Sequence, residues 1–214
     1  MKTYKVNKVD GNHIKINGRG DHPLWEKAIV LNDFLSPWHF ESVGDIEFRA
    51  LHDGDSLFVS YKVNDTHLHI DSTDDSKESV NNSDRIELFL RSDRHLNPYY
   101  CLEIDPLSRI QDFIARPNKE FDFSWDWPKK DIAIQSYIAP TYFCVEVALS
   151  MASLKKFELI QTDGTMEAGI YRAKYNQQQN GQFEPTWITW VDPQTSSPDF
   201  HIASSFGKLK LDNY

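Results

Sequence analysis

Cysteine is scarce in this chain. Cys101 and Cys144 are the only two among 214 residues, each inside a strand-like run, too few for a disulfide framework and best read as small buried hydrophobes. No apolar run approaches the roughly 18 residues of a membrane span, so no membrane association is expected. Basic residues are in deficit: 23 Lys and Arg against 32 Asp and Glu leave a net charge of -9, which argues against nucleic-acid binding and favours neutral or cationic ligands. The standard catalytic templates are missing too, with no G-x-S-x-G, P-loop, G-x-G-x-x-G, H-E-x-x-H or C-x-x-C. Residues 1–10 carry charge but no apolar h-region, so the chain as it stands reads as cytoplasmic, or as secreted or periplasmic if a leader was trimmed.

What is present is aromatic and alternating. Aromatics at 13% and hydrophobics at 40% suffice for a sizeable core, and the length suits one domain over residues 1–214. Ten or more short strand-like runs with turns between them and little helix are the pattern of an all-β sandwich or barrel. Tyr4 to Val9 and His13 to Asn17 flank the turn Asp10-Gly11-Asn12. Asp45 to Leu51 and Ser56 to Val63 alternate around His52-Asp53-Gly54-Asp55, a hairpin signal that accounts for both aspartates. In Asp84 to Arg91, alternation puts Ile86, Leu88 and Leu90 on one face and Glu87, Phe89 and Arg91 on the other. Tyr99 to Asp105 mirrors this, so Cys101, Glu103 and Asp105 join a surface where carboxylates and aromatics interleave. Short helices are expected over Asp21 to Phe34 and Met151 to Glu158, and the acidic stretch 64–84 reads as a loop.

Several features could carry chemistry. A long loop with Phe200 and His201 joins the strand Trp187 to Val191 to the last strand, Lys208 to Leu211, and a loop held between strands can present a flat ring for stacking. For Trp187 and Trp190 the alternative is burial in the core. Residues 116–130 alternate Phe121, Phe123, Trp125 and Trp127 with polar side chains, forming a lid or an exposed platform; Pro117 and Pro128 favour the lid. Glu87 and Glu103 can act as general acid and base on a glycosidic bond, bind sugar hydroxyls, or pair with Arg91. His67 and His69 have a possible metal spacing, while the acidic loop beside them lacks the ligand pattern of a helix-loop-helix calcium site.

Short motifs in a fixed order resemble the family-9 carbohydrate-binding modules, first known as appendages of xylanases, and the related dopamine β-monooxygenase N-terminal-like (DOMON) sandwiches. They are Ile16-Asn17-Gly18 followed by Trp25, Asp53-Gly54-Asp55-Ser56-Leu57-Phe58-Val59, Asn82-Ser83-Asp84-Arg85-Ile86-Glu87-Leu88-Phe89, Trp190-Val191-Asp192-Pro193 and Phe206-Gly207-Lys208-Leu209. Tyr99 to Asp105 and Gly169 to Ala173 are most similar to the stand-alone bacterial members. The resemblance implies an antiparallel β-sandwich, immunoglobulin- or jelly-roll-like, with one or two short helices and structural calcium. It further implies a non-catalytic module that binds the ends of glucan and xylan chains in carbohydrate catabolism, clamping a sugar between two rings. Carried over by position, one ring falls on Phe200 and the polar partner on Glu87. The second ring falls on Asn81, so half of the clamp is absent unless another aromatic, Trp125 or Trp127, replaces it; Glu103, Trp190 and His201 complete the candidate sugar contacts. Alternatives are hydrolysis by the Glu87/Glu103 pair, or haem held by a His or Met as in some DOMON sandwiches, although Met1, Met151 and Met166 lie in no central strand.

Overall fold

A computed structural model describes residues 1–10, 14–39 and 43–214. Strand formation follows the alternation in the sequence. β1 (Thr3–Lys8) is followed by the hairpin β2 (Ile46–His52) and β3 (Ser56–Asn64). Its turn needs Gly54, which sits at φ +97°, while Asp53 Oδ1 accepts from the Asp55 and Ser56 amides at 2.9 and 2.8 Å. After α1 (Lys77–Asn81) comes a meander of β4 (Arg85–Arg91), β5 (Tyr99–Ile104), β6 (Ile110–Arg116) and β7 (Glu120–Asp122). The hairpin β8 (Ile132–Ile138) and β9 (Tyr142–Ser150) leads into α2 (Met151–Lys156), then β10 (Thr165–Gln177), β11 (Phe183–Thr189) and β12 (Gly207–Leu211).

Among the described residues the strands form one curled sheet in the order β7-β6-β5-β4-β10-β12-β1-β2-β3-β9-β8, with β11 also paired to β10. β10 can serve three partners because it is 13 residues long. β4 takes one edge over Glu167–Ala173, and the other edge is divided between β12 at Thr165–Ala168 and β11 at Tyr171–Gln177. β1 is the seam of the sheet. It runs parallel both to β12, with Thr3 beside Lys208, and to β2, with Asn7 beside Leu51. The wholly antiparallel arrangement expected from the sequence fails at β1 because its neighbours are distant along the chain and no tight turn dictates direction.

Both halves of the sheet turn their inner faces into one core: Ile86, Leu88, Leu90, Leu102 and Ile104 meet Phe48, Val59, Tyr61, Val145 and Val147. Tyr61 Oη donates across this core to the Glu87 carbonyl at 3.0 Å. The outer face of β4 to β6 is covered as well, by a second cluster of Phe89, Tyr99, Cys101, Phe113, Tyr171, Phe200 and Phe206. Every residue of β4 and β5 is therefore buried, and Cys101 and Cys144 are free, buried thiols.

Local structure departs from expectation in three places. Within 21–34 only Pro23–Lys27 winds, as a 3-10 turn, because Leu31 then bridges to Phe48 and draws the chain onto β2. Within the acidic loop, α1 forms because Ser76 caps it by accepting from the Ser79 amide. The strand expected over 13–17 and its turn lie partly outside the described residues, and residues 14–17 join no strand.

One buried carboxylate ties the N-terminal segment to the sheet. On β9, Glu146 Oε1 accepts from Trp25 Nε1 at 2.6 Å, and its Oε2 accepts from the Asn17 and Gly18 amides at 2.8 and 2.5 Å. Replacing it strands three donors, so Glu146→Ala is expected to lose about 3 kcal/mol or more of unfolding free energy in urea titration. A loss below about 1 kcal/mol would show that the segment is held by its apolar contacts alone.

Candidate functional site

On the outer face of the meander, strand register sets polar groups in a row. Tyr171 of β10, Glu87 of β4, Glu103 of β5 and Gln111 of β6 lie side by side. The adjacent row is Gly169, Phe89, Cys101 and Phe113. Arg85, two residues before Glu87 and on the same face, places Nε 3.0 Å from Glu87 Oε1 and 3.0 Å from Glu103 Oε2. Gln111 Nε2 donates to Glu103 Oε2 at 2.9 Å. Arg85 Nη1 and Tyr175 Oη both donate to the Asn81 carbonyl, at 2.7 and 2.6 Å, which fixes the end of α1 beside the floor. Arg85 Nε and Glu87 Oε1 are close but not aligned, and among the described residues neither makes a hydrogen bond.

Rings enclose this floor. Phe200 lies flat on Tyr171, with centroids 4.1 Å apart and planes 5° apart, and meets Trp187 edge-on at 5.7 Å. Tyr171 can take that place because residue 169 is glycine: a Cβ there would fall 1.9 Å from Tyr171 Oη. His201 packs on Phe121 at 4.7 Å and Phe89 at 5.1 Å, with Nδ1 3.0 Å from Tyr99 Oη. Phe123, 49% exposed, leans on Phe113 at 4.8 Å. Asn81, Lys119 and Asp199 form the rim, the last two as an ion pair at 3.1 Å. The enclosed volume is about 210 Å³.

Burial governs the electrostatics. It pushes the Glu87 carboxyl up to about 8, helped by Glu103 and opposed by Arg85. Glu103 is raised by burial as well, against Arg85 and Gln111. Burial alone would weaken the Arg85 proton, but Glu103 and Glu87 outweigh it and the guanidinium holds its charge more firmly than usual. His201 is lowered by burial to about 4 and is neutral at ordinary pH.

Asn81, Glu87, Glu103, Phe200 and His201 are thus brought together. Trp190, Trp125 and Trp127 are not. Trp190 is buried in the main core against Gly207, and Trp125 and Trp127 pack with Tyr100 and Phe157 as a lid on that core. The two-residue period of this stretch breaks at Ser124, whose amide and hydroxyl both bond to Asp122 Oδ1, so the four rings do not share a face. Phe121 and Phe123 line the cavity instead, together with Arg85, Gln111, Phe113 and Trp187. Arg85 and Gln111 were open to detection by parity, since each stands an even number of residues from Glu87 or Phe113 on its own strand.

The acidic loop offers little to the calcium that the resemblance implies. Asp65 pairs with Arg172 and Lys174, Asp71 with Thr73, and Asp74 with Ser76 and Ser79. Among the described residues no three His, Cys, Asp or Glu side chains converge as a metal site, so the donor set does not fit a calcium cage built on carboxylates. His69 is likewise engaged, stacked on Phe183.

Residues 16–214 match the family model described as "Carbohydrate family 9 binding domain-like". The chain belongs to this family. Its members' fold extends to solved structures of low identity. A candidate carbohydrate-binding protein from Bacteroides uniformis ATCC 8492 superposes with a TM-score of 0.74 at 16% identity, over 99% of each chain. A family-9 carbohydrate-binding module from Caldicellulosiruptor kristjanssonii, solved with glucose and with cellotriose, gives 0.64 at 15% identity in both cases. It is covered over 100% of this chain and 97% and 95% of that one. No curated protein sequence matches the chain.

The raised Glu87 carboxyl gives stability a definite pH dependence. The folded state keeps this proton up to about pH 8 while the unfolded chain releases it near 4.5, so its contribution is complete below 4.5 and is lost as pH rises through about 8. His201 runs the other way: its contribution is present above 6.5 and is lost as pH falls through about 4. Urea unfolding at about pH 6 and pH 9 should show wild type losing stability across that interval and Glu87→Gln losing less. An equal loss in both would place the titrating group elsewhere.

Proposed function

We propose that this protein is a non-catalytic carbohydrate-binding module, a β-sandwich that takes the end of a glucan- or xylan-type oligo- or polysaccharide into the cavity beside Phe200 and serves carbohydrate breakdown. One observation carries this reading: a buried polar floor of Arg85, Glu87, Glu103 and Gln111 is walled by aromatic rings. A pyranose has hydroxyls at its edges and C–H groups on its faces, so charged groups and ring faces suit the two parts of one ligand. At about 210 Å³ the cavity is small beside the roughly 300–1,000 Å³ pockets of drug-sized ligands, which suits a terminal sugar. The Caldicellulosiruptor module, whose structures hold glucose and cellotriose, supports the reading through its fold. Phe200, braced by Tyr171, supplies one side of the clamp; Phe121 and Phe123 supply the other in place of the ring missing at Asn81.

A glycan array followed by calorimetry tests this. Phe123→Ala, at an exposed ring, and Phe200→Leu, which keeps apolar bulk at a buried one, are each expected to weaken the best ligand about two- to tenfold, the equivalent of stacking on one ring, with the circular dichroism spectrum unchanged. Asn81→Trp is expected to tighten it by restoring a ring. An array on which nothing binds overturns the reading, and so does a saccharide cleaved by wild type but not by Glu87→Gln, which would make the buried pair catalytic.

A further inference from the structure

The aromatic face that enters the cavity does not end there. Along the β10–β11 ribbon, Ala173, Tyr175 and Gln177 stand opposite Trp187, Pro185 and Phe183, and directly paired residues share a face. The face that carries Trp187 into the cavity therefore continues to Tyr175 and Phe183. There it meets His69, whose ring lies on Phe183 with centroids 3.6 Å apart and planes 17° apart, and stands 5.8 Å from Tyr175. Phe183 is nonetheless 38% exposed, and it and Tyr175 border a depression of about 440 Å³.

We propose that this depression is a second sugar subsite, receiving the units that follow a terminal sugar held in the cavity. The proposal rests on the carbohydrate reading of that cavity. Continuity supports it: the Asn81 carbonyl that accepts from Arg85 on the cavity floor also accepts from Tyr175 Oη at the edge of the depression, so the two regions meet at one oxygen. Chemistry supports it as well. The polar groups around the rings include the Gln177 amide and the His67 imidazole, which can both donate and accept, as hydroxyl groups require, while the Asn176 amide already donates to Thr186 Oγ1 and the Lys174 carbonyl. The nearest cation, Lys174, is tied to Asp65 and Asp84. A stack already formed between His69 and Phe183 presents its surface without ordering a side chain on binding.

Calorimetric titration with glucose, with cellobiose through cellohexaose, and with the matching xylo-oligosaccharides tests the idea. Wild type is expected to gain roughly three- to tenfold in affinity between the disaccharide and the longest oligomer, as one more ring is stacked. Phe183→Ala is expected to abolish that gain while leaving disaccharide affinity within about twofold, a difference smaller than one ring contact provides. Phe183→Leu, which keeps the apolar bulk and loses the ring, gives the same answer if the alanine variant folds poorly. A monosaccharide or disaccharide that binds without any gain for longer chains, or a gain kept in both variants, overturns the subsite and leaves the cavity reading intact. Absence of binding by every sugar in both series overturns the two together. A concentration-dependent sedimentation coefficient that Phe183→Ala abolishes, with no length effect, would assign the face to a second copy of the chain and also overturn the proposal.

Discussion

A single guanidinium held between two carboxylates on neighbouring strands is the constraint around which this protein's outer face is arranged. Glu87 and Glu103 stand directly opposite each other, a like-charge pairing that destabilises a sheet even in water. Out of water their repulsion would grow; Arg85 between them, and the proton that burial keeps on Glu87, make the arrangement tolerable. Such a triad is a poor stabiliser, because desolvating the guanidinium and its carboxyl partners costs nearly as much as their attraction returns, and Glu87 answers that cost by keeping its proton up to about pH 8. Apolar residues would hold these strands together at least as well.

The triad and the rings depend on each other. Without Phe113, Phe121, Trp187, Phe200 and His201 around it, water would reach the carboxylates, and burial could no longer hold Glu87 and Glu103 above the usual carboxylate range. Without the charges, the rings would close on one another as an ordinary second core. What stops them is geometry set by the strands: Gly169 leaves room for Tyr171, Tyr171 supports Phe200, and the Asn81 carbonyl holds Arg85 in place. Each support comes from a different element, so the cavity is fixed by the sheet and not by any single loop.

Much of this was legible in the sequence wherever a two-residue period ran uninterrupted. Parity alone placed Ile86, Leu88 and Leu90 in the main core and Glu87 and Phe89 on the opposite face, and the same held for Leu102 and Glu103. Parity could not say that the opposite face would itself be roofed, because the roof comes from residues far along the chain, Phe200 and Phe206. It also misled at residues 121–127, where a single side-chain bond from Ser124 to Asp122 turned the chain and sent two rings to the cavity and two to the core. The direction of β1 was illegible for a related reason: direction is set by a turn only when the paired strands are adjacent in sequence.

That seam has a consequence for how the molecule is made. β1 finds only a two-residue match with β2, Asn7 and Lys8 beside Leu51 and His52, and its main partner is β12, with Thr3 set against Lys208. Closing the sheet joins strands that are far apart along the chain, so the entropic cost of joining the halves falls late in folding. Until then the inner edge of β2 is an unpaired strand edge beside an incomplete core, the kind of surface on which nascent β proteins associate wrongly.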